Sequence, residues 1–295
     1  MKLAMDEEMQ TVLAAGCQKA ISPERDRTQS RVLVWVVGTL LVGVMVVELC
    51  LLPWGKMPSR RLWEAAAFSF AFPLLTWMLH AATGPAAALG GVICMNLLLV
   101  QPTAWLDTAM PALLTLFVLT FAATRFGRAS KEAMGAAETR QGRRASQVVA
   151  NLGIAGLCAA GVPAAWLAAC VAALAEAAAD TVSSEMGQAL GGRTWLITTG
   201  RRVATGMDGG VSLMGTMFGV SAAVAVTAVA VLLGTISPGT ALIVFGAGVA
   251  GLIFDSVLGA TVERRGWMGN DWVNFASTAF AAILAYALAQ LASRR

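Results

Sequence analysis

Apolar residues in this chain run in long uninterrupted blocks and do not alternate with polar ones. The blocks cover residues 31–52, 62–82, 84–101, 108–125, 147–179, 209–233, 239–260 and 272–292. A bilayer core takes a helix of about 20 apolar residues, and a half-buried strand would show a period of two. The pattern therefore predicts membrane-spanning helices. The 147–179 block exceeds one crossing, and Gly161 and Pro163 divide it into spans at 147–160 and 163–180. The prediction is an all-α, polytopic transmembrane helix bundle of about nine spans, with eight and ten as the bounds. Residues 31–295 form its single domain. Residues 1–30 are polar and of mixed charge. Met5, Met9, Val12 and Leu13 recur there at helical spacing, which fits a short amphipathic surface helix or a solvated tail. Asp6, Glu7, Glu8 and the lack of an apolar centre argue against a signal peptide.

Composition sharpens this. Hydrophobic residues are 57% and charged residues 13%, against about 45–50% and 25% in a soluble domain. Mean hydropathy is +0.70. Disorder, a disulfide scaffold and an ordinary soluble enzyme are excluded. A lone histidine, His80, removes multi-histidine zinc sites and most histidine triads. The five cysteines (Cys17, Cys50, Cys94, Cys158, Cys170) have no C-x-x-C spacing and read as packing. The net charge of +4 matters less than its placement. Basic residues collect in the 126–146, 181–207 and 261–271 loops, and the connections near 102–107, 161–163 and 234–238 have none. Nine spans put the basic loops and the basic N-terminus on the cytoplasmic side. Lys56, Arg60 and Arg61 would then lie outside, against the rule.

Ionisable groups inside apolar spans are expensive and mark functional sites. Glu176, Asp180 and Ser184 follow one another at intervals of four, so one helix face carries two acids and a hydroxyl, and Glu185 comes next. Asp255 stands alone in an apolar run. Asn151 and Asn274 sit just inside their spans. Carboxylates with amide and hydroxyl oxygens suit Mg²⁺; the plainer alternative is that the acids pair with arginines to hold the bundle. A second cluster holds Thr198, Thr199, Arg201, Arg202, Asp208, Gly209, Gly210 and Ser212 directly before a span. Glycines at a helix start can bring backbone N–H groups to a phosphate, or simply make a flexible loop. A third cluster is Arg140, Arg143 and Arg144 before the 147 span, which taken alone read as plain positive-inside anchors. No broad soluble basic surface exists to carry a nucleic acid. Arginines, carboxylates and a glycine-bounded helix start on one membrane face together fit phosphoryl transfer to a lipid-tailed phosphate.

The wording of these clusters is more specific. A-D-T-V-S-S-E-M-G (179–187), T-T-G-R-R-V-A-T-G-M-D-G-G-V-S (198–212), D-S-V-L-G-A-T-V-E (255–263) and G-R-R-A-S-Q-V-V-A-N (142–151) occur in this order. They resemble the integral-membrane family that contains transmembrane protein 19, and in particular its plant branch of chloroplast phytyl-phosphate kinases. The resemblance covers about residues 70–292. Met207 departs from it, since the family often has threonine there.

The resemblance implies a multi-span helical protein that moves a nucleotide γ-phosphate onto an isoprenyl monophosphate. CTP is the favoured donor by likeness to other polyprenol-type kinases. On this reading Asp180, Glu185 and Asp255 hold Mg²⁺ and do the catalytic work. Arg143, Arg201 and Arg202 clamp phosphates, and Asn151, Ser184, Thr198, Thr199, Asp208, Gly209, Gly210 and Ser212 assist. The expected partners are the prenyl phosphate, the nucleotide and the bilayer, with the site facing the cytoplasm. The alternative is a carrier or flippase for a lipid phosphate, whose site would also lie among broken spans near the midplane.

Overall fold

A computed structural model describes residues 21–51, 59–99, 105–133, 141–159, 161 and 164–294. Nine of its helices have 14 residues or more: α1 (Pro23–Leu51), α2 (Ser59–Met78), α3 (Gly84–Leu99), α4 (Met110–Arg125), α6 (Ala145–Cys158), α7 (Ala164–Leu190), α8 (Leu213–Leu232), α9 (Pro238–Leu258) and α10 (Asn270–Ser293). A short helix, α5 (Arg128–Ala133), follows α4. By length and composition α1, α7, α8, α9 and α10 can each cross a membrane, and α3, α4 and α6 are shorter apolar helices. Trp35, Phe70, Leu232, Leu242 and Ile283 are exposed around the outside. So much apolar surface is unusual in a soluble monomer and normal against lipid. Most of the surface helix expected over 1–30 lies outside the described residues, and Pro23–Ser30 are the first turns of α1.

At the centre stands α7. Its apolar window is 83% buried, against 22–39% for the other long helices, and it packs on α4, α6, α8, α9 and α10. Without a hydrophobic drive inside lipid, helices associate through close backbone approach at small residues. The run Ala168–Ala179 supplies that on α7, with Gly215 and Gly219 on α8. A Cβ on Gly219 would come within 2.7 Å of the Ala179 carbonyl oxygen, and one on Gly215 within 2.7 Å of that of Ser183. On α9, Gly251 lets the backbone close on the Glu176 side chain, 2.4 Å from where its own Cβ would stand.

Three features correct the sequence reading. The span predicted to end at 180 runs ten residues further, to Leu190, carrying Gly187 within the helix and stopping only at Gly191, which has φ +63°. Asp180 is therefore mid-helix. The 194–212 segment is not plain loop. It folds as a small antiparallel sheet of β1 (Thr194–Leu196), β2 (Arg202–Val203) and β3 (Gly210–Ser212), in the order β2-β1-β3. Third, α9 ends in a π-helical turn, Gly259–Glu263, closed by Arg264 N–H on the Gly259 carbonyl at 3.2 Å. The conflict with the positive-inside rule also eases. Lys56 lies outside the described residues. Arg60 pairs with Glu64 at 2.9 Å, and buried Arg61 donates to the Leu98 carbonyl at 3.0 Å, at the negative end of α3.

Candidate functional site

Arg143 is fixed by its backbone before its side chain does anything. Its N–H donates to the Ala81 carbonyl and its own carbonyl accepts from Thr83 N–H, both at 3.0 Å. This short bridge ties the start of α6 to the turn after α2. Gly142 makes it possible. It has φ +81°, and a Cβ there would lie 2.5 Å from the His80 carbonyl oxygen. The Gln147 side chain accepts from Arg144 N–H at 2.7 Å and caps α6. Asn151, one turn further, donates to the Gln147 carbonyl at 3.0 Å and accepts from Asn274 of α10 at 3.3 Å. The first two turns of α6 thus present Arg143, Gln147 and Asn151 to one cavity of about 470 Å³.

Opposite them, α7 and α9 bring acids. Asp180 and Ser184 line the same cavity, as do Asp255 of α9 and Asp208 of the β2–β3 turn. Asp255 and Arg143 both lie near enough to act on the Asp180 carboxyl. Asp255 accepts from Ser277 Oγ at 3.2 Å. Behind this pair Glu176 is 1% exposed, and its Oε1 has no hydrogen-bond partner. Carboxyls packed this closely either keep a proton or take positive charge among them. Arg143 supplies one such charge, and a divalent cation held by one or two carboxylates, with waters and phosphate oxygens, would suit the rest. Among the described residues no three His, Cys, Asp or Glu side chains form a ready-made metal cluster.

Several expected site residues stand elsewhere. Glu185 reaches the cavity rim, but its carboxylate is committed. Oε2 meets buried Lys131 Nζ at 2.5 Å and Oε1 accepts from Thr124 at 3.1 Å. Lys131 also donates to the Ala123 and Thr124 carbonyls near the end of α4. The pair therefore pins α5 between α4 and α7, and Glu185 is not brought to Asp180 and Asp255 as a third metal ligand. Thr198, Thr199, Arg201 and Arg202 are exposed on the β1–β2 hairpin and do not line the cavity. Two or three residues of strand on each side of a turn carry them away from it.

Gly209, Gly210 and Ser212 do line the cavity, but not as an open cradle of amides. Gly210 N–H donates to the Met207 carbonyl at 2.8 Å, and Ser212 Oγ caps α8 by accepting from Gly215 N–H at 3.1 Å. Gly209, with φ +71°, packs on the π-turn, where a Cβ would fall 2.3 Å from Ala260 N. Met207 fills the position of the family's threonine, and its sulfur contacts Arg264 at 3.1 Å. Burial pushes the Asp208 carboxyl above its usual range, and Arg264 works against that shift.

The cavity residues that escaped the sequence reading of the site include Gln147, Gln188, Glu263 and Asn270. Glu263 was visible as the last letter of D-S-V-L-G-A-T-V-E. Its aim depends on the π-turn, which shifts the helical register by one residue.

A helical membrane bundle with an arginine-and-carboxylate cavity at the loop end of its central helix is thus the class defined by fold and site. The chain belongs to the integral membrane protein family DUF92, whose profile matches residues 67–282. It is 33% identical over 187 residues to the chloroplastic protein VTE6 of Arabidopsis thaliana, covering 59% of this chain and 56% of the plant protein. An uncharacterized membrane protein of Synechocystis sp. is 35% identical over 181 residues, 58% of this chain and 70% of that one. Another from Methanocaldococcus jannaschii is 35% identical over 117 residues, 39% of this chain and 48% of that one. The chain thus spans little more than half the length of its plant relative. No solved structure matches it.

Proposed function

We propose that this protein is a membrane-embedded isoprenyl (phytyl-type) monophosphate kinase. The observation that carries the reading is Arg143 facing the Asp180–Asp255 pair inside an otherwise greasy bundle. The motif resemblance to the phytyl-phosphate kinase branch supports it. In the reaction a terminal oxygen of the prenyl monophosphate attacks the γ-phosphorus of a nucleoside triphosphate, with CTP favoured. The new P–O–P bond gives the prenyl diphosphate, the γ–β bridge breaks, and the nucleoside diphosphate leaves. The acceptor is already anionic near neutral pH, so no strong base is needed. Such transfer is mainly positioning and charge neutralisation.

Arg143 would hold equatorial phosphate oxygens by its planar fork, and Asn151, Gln147 and Ser184 would donate to the remainder. Asp180 and Asp255 are the residues to hold Mg²⁺, which when bound would neutralise charge on the transferring group. The unpartnered Glu176 Oε1 beside them supports a cation in this place. Asp208 and Glu263 close the far side, and the cavity faces the cytoplasm.

The test is direct. Purified protein is incubated with phytyl or geranylgeranyl monophosphate, Mg²⁺ and each nucleoside triphosphate in turn, and the diphosphate is sought. Absence of diphosphate with every nucleotide, together with retained prenyl-phosphate binding, would reject the kinase and leave the carrier reading.

A further inference from the structure

A second cavity, of about 300 Å³, lies beside the polar one between α2, α3, α4 and α6. Its walls are of another kind. Phe72, Ala87, Gly90, Leu113, Leu116 and Phe117 line its interior. Arg143 and Asn151 line both cavities. The apolar space thus begins at the two residues that would receive the phosphate. Its volume and mainly apolar walls are those of small-molecule sites, which run from about 300 to 1,000 Å³.

The outer wall is thin. On its inner side α2 packs against α3, and it makes little contact with α4. The α2–α4 seam is closed by Phe72, whose ring meets Phe117 edge-on at 5.1 Å. Next to the seam Phe70, Leu74 and Val118 are exposed on the outside of the same helices, where the bilayer lies. One layer of aromatic side chains therefore separates the cavity from lipid.

We propose that this cavity holds the hydrocarbon tail of a lipid phosphate, with its phosphate end at Arg143 and its tail along α3 towards the Phe72–Phe117 seam. The proposal rests on the reading of the neighbouring cavity as a lipid-phosphate site and names how that substrate is recognised. Selectivity for a long branched chain then comes from α3 and α4, apart from the residues that handle phosphate.

Gly90 allows a clean test. A Cβ built there meets nothing within 4 Å, whereas one on neighbouring Gly91 would lie 2.8 Å from the Ser69 carbonyl oxygen. Gly90→Leu and Gly90→Phe therefore fill the cavity without driving α2 and α3 apart. Three probes are titrated into the detergent-purified full chain: a C20 prenyl monophosphate, the C5 dimethylallyl monophosphate and inorganic phosphate. Each buried methylene is worth a factor of about four in affinity. Wild type should therefore bind the C20 probe at least about tenfold tighter than the C5 probe. Gly90→Phe should weaken C20 binding about tenfold or more and leave the other two within about twofold, with Gly90→Leu between. Detergent partitioning of a given probe is the same for every variant and cancels between variants.

Unchanged C20 affinity in Gly90→Phe, or parallel loss of all three probes along the Gly90→Ala, Leu, Phe series, would overturn the proposal. The readout does not depend on catalysis. A wild type that makes no diphosphate yet shows this tail selectivity loses the kinase reading and keeps the tail cavity. An active kinase whose preference for the C20 over the C5 acceptor survives unchanged in Gly90→Phe does the reverse.

Discussion

Asp180 and Glu185 stand five residues apart on α7 and do different work. Glu185 has a lysine and a threonine on its two oxygens, and Asp180 faces an arginine and another acid across a cavity. Asp180→Asn keeps shape and hydrogen bonding but removes charge. It should cost about 10²-fold or more in phosphoryl transfer, the worth of one preorganised electrostatic contact, and the protein should stay monodisperse. Full activity in that protein would remove Asp180 from the site. Glu185→Gln should do the opposite. It strands buried Lys131, and breaking one half of a buried pair costs about 3–5 kcal/mol, so the loss should appear in Tm before kcat. Asp208 adds a pH test. Its folded-state value is raised, so its ionisation opposes folding. That penalty is absent below the ordinary carboxylate range near pH 4 and complete above the raised value. Asp208→Asn should raise Tm at pH 8 and converge with wild type near pH 4, while weakening activity. An unchanged Tm at pH 8 would mean that Arg264 fully offsets the burial.

Helices with long apolar runs were legible element by element, because length and hydropathy act locally. The Gly161–Pro163 break was legible for the same reason, and α6 and α7 fall on either side of it. What escaped depends on distant partners. Lys131 and Glu185 are 54 residues apart, and neither neighbourhood announces the other. Strands of two or three residues give no periodicity to read, so Arg201 and Arg202 looked like clamps when they sit on an exposed hairpin. The glycines of the 206–210 loop were rightly placed before α8, yet Gly209 serves a backbone crossing with Gly259 and Ala260 more than an anion. That crossing makes a prediction. Gly209→Ala must displace the π-turn that carries Glu263, so it should lower affinity for nucleotide and prenyl phosphate alike. Ser212→Ala, which only uncaps α8, should cost about 1 kcal/mol of stability and leave affinity nearly intact.

Over the whole molecule, the helix ends sort into two sets that fix which loops share a membrane face. Arg143 is bonded to the turn after α2, Arg125 at the end of α4 donates to the Leu79 carbonyl, and Arg25 at the start of α1 donates to the 266–267 carbonyls. These ends surround the polar cavity with the β-sheet and the π-turn. At the other set, Thr235 after α8 donates to the Thr108 carbonyl before α4 at 2.9 Å, and Arg61 meets the end of α3. The 20 residues of α8 separate the two sets by about 30 Å, the depth of a bilayer core. Arg128, Lys131, Arg143, Arg144, Arg193, Arg201, Arg202, Arg264 and Arg265 all fall in the first set, and the 233–237 turn has no basic residue. By the charge rule we predict that the cavity faces the cytoplasm, where nucleoside triphosphates are. With Cys17 and Cys50 replaced by serine, Thr199→Cys and Arg265→Cys should resist a membrane-impermeant thiol reagent in intact cells and react after permeabilisation. Ser237→Cys should react in intact cells. Labelling of Thr199→Cys from outside would reverse the bundle and place the cavity on the face without nucleotide. The kinase reading would then fail by topology alone, whatever the acids hold.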